Sequence, residues 1–218
     1  MENNTKTWIE WIKQLQSIAQ AGLYYGGTVF DKERYQSIRD ISAAMMANIA
    51  DLPVDKVKDL FCNEDGYQTP KLATRAAVFH EDKILLVREN YGRWTLPGGW
   101  AEPGCTIREN TIKEIEEESG IKASADYVIA LFDKDKHNPR MHPFAEDVVF
   151  VHCTPISGHF QENTETTDMN FFTLEEAASL ELDPPKTSLE EIQMCFRAHQ
   201  SCPGDPDLYG HTWHMLWD

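Results

Sequence analysis

The stretch Pro97–Ile121, PGGWAEPGCTIRENTIKEIEEESGI, places Glu114, Glu116, Glu117 and Glu118 within five consecutive positions. Carboxylates this close repel one another, so whatever folds them must offset the charge. Thr106 and Glu109 have the S/T-x-x-E spacing of a capping box, in which each side chain satisfies a backbone N–H of the other. Gly120 stands where a glycine in the left-handed conformation ends a helix. The stretch therefore predicts a helix over about 107–119. Glu114 shares one face with Glu117 at i+3 and Glu118 at i+4. Glu116 falls about 200° from Glu114 and faces away. Ile107, Ile112, Ile115 and Ser119 supply the packed side. Carboxylates gathered in this way suit Mg²⁺ or Mn²⁺, which take oxygen ligands octahedrally and bridge to substrate phosphates. The competing reading is a solvated acidic helix face, the usual fate of a charge run.

Working outward, "RWTLPGG" predicts a short strand ending in a Pro-Gly-Gly turn just before this helix. "LATRAAVF" and "KILLVRE" flank His80-Glu81-Asp82 and predict a hairpin of buried strands. "DYVIALFDK", "EDVVFVHCTPI" and "DMNFFT" predict three more strands. Thr173 with Glu176, and Thr187 with Glu190, have capping-box spacing before two further helices. Strands interspersed with helices indicate an α/β or α+β domain. The first part is different in texture. Trp8, Trp11, Ile12, Leu15 and Ile18 recur at helical spacing, as do Ile38, Ile41, Met45 and Ile49. Gly26-Gly27 separates these helices, Asp31 is placed to cap the second, and "DKVKDLFC" follows as a short third. The expected organisation is a helical domain over 1–66, for dimerisation or substrate capping, and a second domain over 67–218 with an aromatic tail.

Twenty basic against thirty-six acidic residues give a formal charge of −16 in a chain of 218 residues. Nucleic-acid binding leans on Lys and Arg displacing counterions, so a bare polynucleotide is a poor partner. A small anionic substrate needs cations to mediate its approach. The N-terminal sequence lacks a basic region followed by an apolar run, and no apolar stretch nears the roughly 18 residues of a membrane span. A cytoplasmic location is the expectation. Five widely spaced cysteines, with no CxxC pair, read as reduced thiols.

The turn and helix together resemble the signature of the Nudix hydrolases, G-x5-E-x7-R-E-U-x-E-E-x-G-U, where U is a bulky aliphatic residue. Gly99, Glu114, Ile115, Glu117, Glu118, Gly120 and Ile121 match, while Cys105 replaces the first Glu and Lys113 the Arg. The resemblance covers about residues 70–200 and implies a Nudix fold, a mixed β-sheet sandwiched between helices. It also implies Mg²⁺- or Mn²⁺-dependent hydrolysis of a nucleoside diphosphate linked to a group X. The helical prefix and "LPGGWAEPG" are similar to a bacterial subgroup associated with ADP-ribose or CDP-choline. On this reading the metal residues are Glu114, Glu117, Glu118, the Gly98 carbonyl and Glu102. The catalytic candidates are Glu114, Glu118 and Glu146, with Asp147 beside the last.

In the family the missing Glu and Arg form a supporting ion pair, so Gly99, Cys105, Lys113 and Gly120 are supporting positions here. Cys105 leaves Lys113 without that carboxylate, and Lys113 turns to Glu109 or Glu117 on its own helix. Arg93, Arg75 and Arg140 are candidate phosphate contacts and Trp100, Trp94, Tyr91 or Phe144 candidate base-stacking residues. An isolated arginine is more often a surface charge, and an aromatic beside a turn more often belongs to the core. Cys202, His211 and His214 imitate a metal site only loosely. The expected partners are a small substrate and a second copy of the chain. A Nudix-fold nucleotide sensor with weak or no catalysis is the alternative.

Overall fold

The computed structural model describes residues 2–137 and 144–201. Two compact units divide the chain, one of residues 1–71 with 140–145, the other of residues 72–139 with 146–218.

The first unit consists of α1 (Glu2–Tyr25), α2 (Val29–Ala50) and α3 (Val54–Phe61). Its core gathers Ile9, Ile12, Met46, Ala47, Val57 and Phe61. The N-cap of α2 is Thr28, whose hydroxyl accepts from the Asp31 N–H at 3.1 Å. Asp31 was the expected cap; it occupies the first turn instead, where an acidic side chain meets the positive end of the helix dipole. Trp8, Trp11, Ile18 and Ile41 stay exposed on this unit.

In the second unit a mixed six-stranded sheet has the order β3-β2-β1-β5-β4, with β6 paired to β2. The strands are β1 (Lys71–His80), β2 (Lys83–Glu89), β3 (Trp94–Thr95), β4 (Ile121–Asp133), β5 (Glu146–Gly158) and β6 (Thr166–Phe172). Alternation along β1 sends Ala73, Ala77 and Phe79 into one core and Ala76 and Val78 into another. The first core is closed by α6 (Leu174–Ala178) and α7 (Leu189–Gln200). The second is closed by α4 (Ile107–Ser119) through Ile107, Ile112 and Ile115. A sheet with helices on both faces is the architecture expected of the sequence.

The helix ends follow local chemistry. Thr106–Glu109 and Thr173–Glu176 both form full capping boxes, and Gly120 ends α4 at φ +70°. The cap of α7 is Ser188 with Glu191, one residue later than the expected Thr187 with Glu190. Thr187 is fully buried, and its hydroxyl is taken by the Leu96 N–H at 3.1 Å and the Thr95 hydroxyl at 2.7 Å. A one-turn helix, α5 (Lys134–His137), ends the run expected to be strand alone. Lys134 is buried there, with its ammonium 2.5 Å from Glu191 and 3.0 Å from the Lys186 carbonyl. No described helix is long and apolar enough to cross a membrane.

Candidate active site

The glycine turn is not a free loop. It is laced to β1 by Ala76 N–H to Pro97 O at 2.8 Å, Thr74 N–H to Gly99 O at 2.9 Å and Ala101 N–H to Leu72 O at 2.8 Å. Gly98 takes φ +146°, and a Cβ there would lie 2.1 Å from the Thr74 carbonyl oxygen, so no other residue fits without moving β1. At Gly99 a Cβ would come within 2.8 Å of the Glu114 carboxylate. The two glycines therefore let strand, turn and helix meet at one point.

Thr74 and Arg75, adjacent on β1, point to opposite faces, and both hold this junction. Thr74 accepts from the Asn110 amide of α4 at 3.0 Å, and Asn110 in turn accepts from the Glu102 N–H at 3.1 Å. The Arg75 guanidinium is buried and donates to the Gly98 carbonyl. Sequence reasoning placed Arg75 on substrate phosphate and the Gly98 carbonyl on metal. Here each is the other's partner.

Glu118 is buried and accepts the Gly98 N–H at 3.1 Å. Burial pushes its carboxyl up to about 7; the charges of Glu114 and Glu89 add to this, and Arg75 opposes it. Glu114 is half-buried and is likewise held above the ordinary carboxylate value, chiefly by burial. Glu117 is exposed and pairs with Lys113 at 3.0 Å, while Glu116 points away toward Lys122 at 4.0 Å. Among the described residues no three His, Cys, Asp or Glu groups are gathered closely enough to cage a metal by themselves. The donor set still fits a hard divalent cation completed by substrate and water. Glu114 and Glu118 have been drawn out of water beside a glycine turn, and a bound cation offsets that cost.

The two departures from the signature are compensated by a third residue. Lys113 reaches across the turn to Glu102 at 3.1 Å as well as to Glu117. Glu102 thus supplies, three positions earlier, the carboxylate that Cys105 lacks, and it is tied to Lys113 here and not to the glutamate face. Glu109, the other expected partner of Lys113, is committed to the cap. Cys105 is half-buried and its N–H closes a turn onto the Glu102 carbonyl at 3.1 Å.

The other expected site residues are dispersed. Arg93 lies 3.6 Å from Glu181 and 3.8 Å from Asp183. Trp100 is exposed and bridges Ala73 through its backbone. Glu146 is buried at the start of β5, and burial with the charge of Asp133 raises the carboxyl of neighbouring Asp147. Arg140, Cys202, His211 and His214 lie outside the described residues.

A second group lies near Glu118, of which the sequence singled out only Tyr91. Buried Glu89 binds Lys186, whose ammonium lies 5.7 Å over the Tyr91 ring. The Tyr91 hydroxyl donates to Asp183 at 2.8 Å. The turn carrying Asp183 and Lys186 is hydrogen-bonded to Trp94, beside the glycine turn. Glu89 and Lys186 are 97 positions apart, so no local spacing announces them.

A fold of this kind, with its glutamate helix seated against a glycine turn, defines a Nudix hydrolase. Residues 69–191 match the NUDIX domain, and residues 6–61 match the UDP-X-like N-terminal oligomerisation domain. The chain belongs to the Nudix family and is a pyrophosphohydrolase. It is 36% identical over 190 residues to YjhB of Bacillus subtilis (strain 168), a candidate ADP-ribose pyrophosphatase, covering 87% of this chain and 90% of that one. An ADP-ribose pyrophosphatase from Streptococcus suis 89-1591 superimposes with TM-score 0.56 at 44% identity, over 61% of this chain and 94% of the other. A UDP-X diphosphatase does so with TM-score 0.58 at 30% identity, over 90% and 95%.

Proposed function

We propose that the chain hydrolyses the phosphoanhydride of a nucleoside diphosphate joined to a group X, of the ADP-ribose or UDP-X kind. Water adds its hydroxyl to one phosphorus and its proton to the departing phosphate oxygen, giving a nucleoside monophosphate and X-phosphate. The observation that carries this reading is the bond from the Gly98 N–H to Glu118, which joins turn and helix into one rigid unit with Glu114 beneath Gly99.

Glu114, Glu117 and Glu118 are the residues that would hold Mg²⁺ or Mn²⁺. When bound, such a cation supplies neutralisation of the diphosphate charge and a more acidic water. The chain itself supplies position and proton exchange. Gly98 and Gly99 let a diphosphate approach the backbone, and Arg75 keeps the turn closed beneath it. Glu118 is one candidate base for the attacking water, its raised carboxyl describing the site before a cation is bound. Glu114 and Glu146 are the other candidates for that role. Arg93, Trp100 and the Tyr91–Lys186 pair are candidates for contacts to the nucleoside or X. The names of the relatives favour ADP-ribose and UDP-linked compounds, with CDP-choline a further substrate to assay.

The test is turnover of ADP-ribose, UDP-sugars and CDP-choline with Mg²⁺ or Mn²⁺, followed by product chromatography. Release of a monophosphate that stops on adding EDTA is expected. Full turnover in EDTA would sink the metal assignment, and silence on every substrate would favour a nucleotide sensor.

The first unit pairs with a second copy of the chain. Support comes from its match to an oligomerisation domain and from the exposed Trp8, Trp11, Ile18 and Ile41. Light scattering at micromolar concentration should give twice the chain mass; a monomer there would refute the pairing.

A further inference from the structure

On the sheet face covered by α7, four groups form an unbroken line. Asp126 Oδ2 lies 3.0 Å from His152 Nδ1, and His152 Nε2 lies 3.0 Å from His199 Nδ1. His199 Nε2 then lies 3.0 Å from the Glu81 carbonyl oxygen in the β1–β2 turn. The rings are held face to face by aromatics. Phe79 stacks on His199 at 3.9 Å and Tyr127 on His152 at 4.6 Å between centroids.

The line has an acceptor at each end. A carbonyl oxygen only accepts, and Asp126 already accepts the Thr154 and Ser124 hydroxyls, each at 2.8 Å, as an ionised carboxylate does. Three contacts join four groups, and each contact needs one proton. Two neutral imidazoles carry one N–H apiece, so they supply two. With neutral rings, either His152 turns a lone pair toward the Asp126 carboxylate, or His199 turns one toward the carbonyl, or the two rings turn lone pairs toward each other. Each of these is a repulsion at hydrogen-bond distance.

We infer that Asp126, His152 and His199 form a proton-binding site, which holds one proton beyond those of two neutral imidazoles and shares it between the rings. Asp126 balances the charge. The titratable groups facing the pair are Asp126 and Tyr127 on β4 and Cys195 on α7; Cys153, next to His152 in sequence, points to the opposite face. Burial pushes both thiols up, and Tyr127 is pushed up to about 12, so none of these three supplies a competing charge near neutral pH. Burial pushes His152 down and the Asp126 carboxylate opposes that push, while a second extra proton is further opposed by the adjacent imidazolium.

The two rings therefore exchange their protons as a unit and not as separate imidazoles. The sign of the linkage follows. Above about pH 6.5 the unfolded chain has released a proton that the folded chain keeps, so this contribution to stability is lost as pH rises through the folded value. Well below 6.5 the unfolded chain binds two protons against one, and stability falls again.

Long-range ¹⁵N–¹H spectra of ¹⁵N-histidine protein at pH 7 should show three nitrogen-bound protons on these two rings. Two single-tautomer neutral rings from pH 6 to 8 would overturn the proposal. Urea unfolding between pH 6.5 and 8.5 gives an independent reading. The folding constant of the native chain should fall more steeply than that of Asp126→Asn or His199→Phe, by up to about tenfold per pH unit. Equal slopes in all three would also overturn it. Should the variants fail to fold, the spectra of the unaltered chain decide.

Discussion

Glu118 and Glu191 are both glutamates on helices of the same unit and both are buried, yet the fold treats them in opposite ways. Glu191 meets Lys134 at 2.5 Å and receives the Ser188 N–H at 2.7 Å, so both oxygens are matched. Glu118 has one N–H from Gly98 and lies within reach of two other carboxylates' charge, with Arg75 in partial opposition. A buried charge that is fully matched holds a helix in place. One left short of positive charge suits the cation site proposed above. The contrast separates scaffold from chemistry where composition cannot, since 26% of the chain is charged.

The comparison can be broken by exchanging each carboxylate for its neutral isostere. Glu118→Gln should lower turnover by on the order of 10²–10⁴-fold, the usual scale for a lost acid–base group, while circular dichroism stays native. Undiminished rates would remove Glu118 from the chemistry. Glu191→Gln should remove the carboxylate facing the buried Lys134 ammonium and cost about 3–5 kcal/mol in urea unfolding. A loss under about 1 kcal/mol would mean that the neutral amide and the Lys186 carbonyl hold the ammonium as well as the carboxylate does.

Without divalent cation, Glu118→Gln should act in the other direction on stability. The folded carboxyl keeps its proton up to about pH 7, against an unfolded value near 4.3. The folded chain therefore binds more protons across that window, and its stability falls as pH rises through it. The variant removes this fall and should be more stable in EDTA at pH 8 by on the order of 1–3 kcal/mol. The smallest effect concerns the outer ion pairs. Glu102→Gln should leave the urea midpoint almost unchanged, because the Lys113 contact is open to solvent and screened. A larger loss would show that the bridge supports the turn as the buried pairs support α7.

What the sequence disclosed was local. The α4 and α6 capping boxes, the Gly120 stop and the hairpin around Glu81 all follow from spacings of a few residues. The misread ends of α2 and α7 share a cause, a neighbouring hydroxyl or carboxylate with the right chemistry one to three positions away. At Thr187 the decision was made by Leu96, 91 positions distant. The glutamate helix was legible because its motif is contiguous. The partners that finish the site were not: Arg75 for Gly98, Glu102 for Lys113 and Lys186 for Glu89 are set by the crossing of strands and turns. The line through His152 and His199 joins residues 47 positions apart and gave no pattern in sequence.

The ladder between β1 and residues 97–101 has an entropic meaning. A loop that must be ordered on binding loses backbone freedom worth roughly 1–2 kcal/mol for each residue fixed. Here three β1–turn hydrogen bonds and the Arg75 contact have ordered the segment already. On the proposed function the diphosphate therefore meets a surface whose shape is set in advance, and binding energy that would otherwise be spent on folding a loop remains for discrimination between substrates.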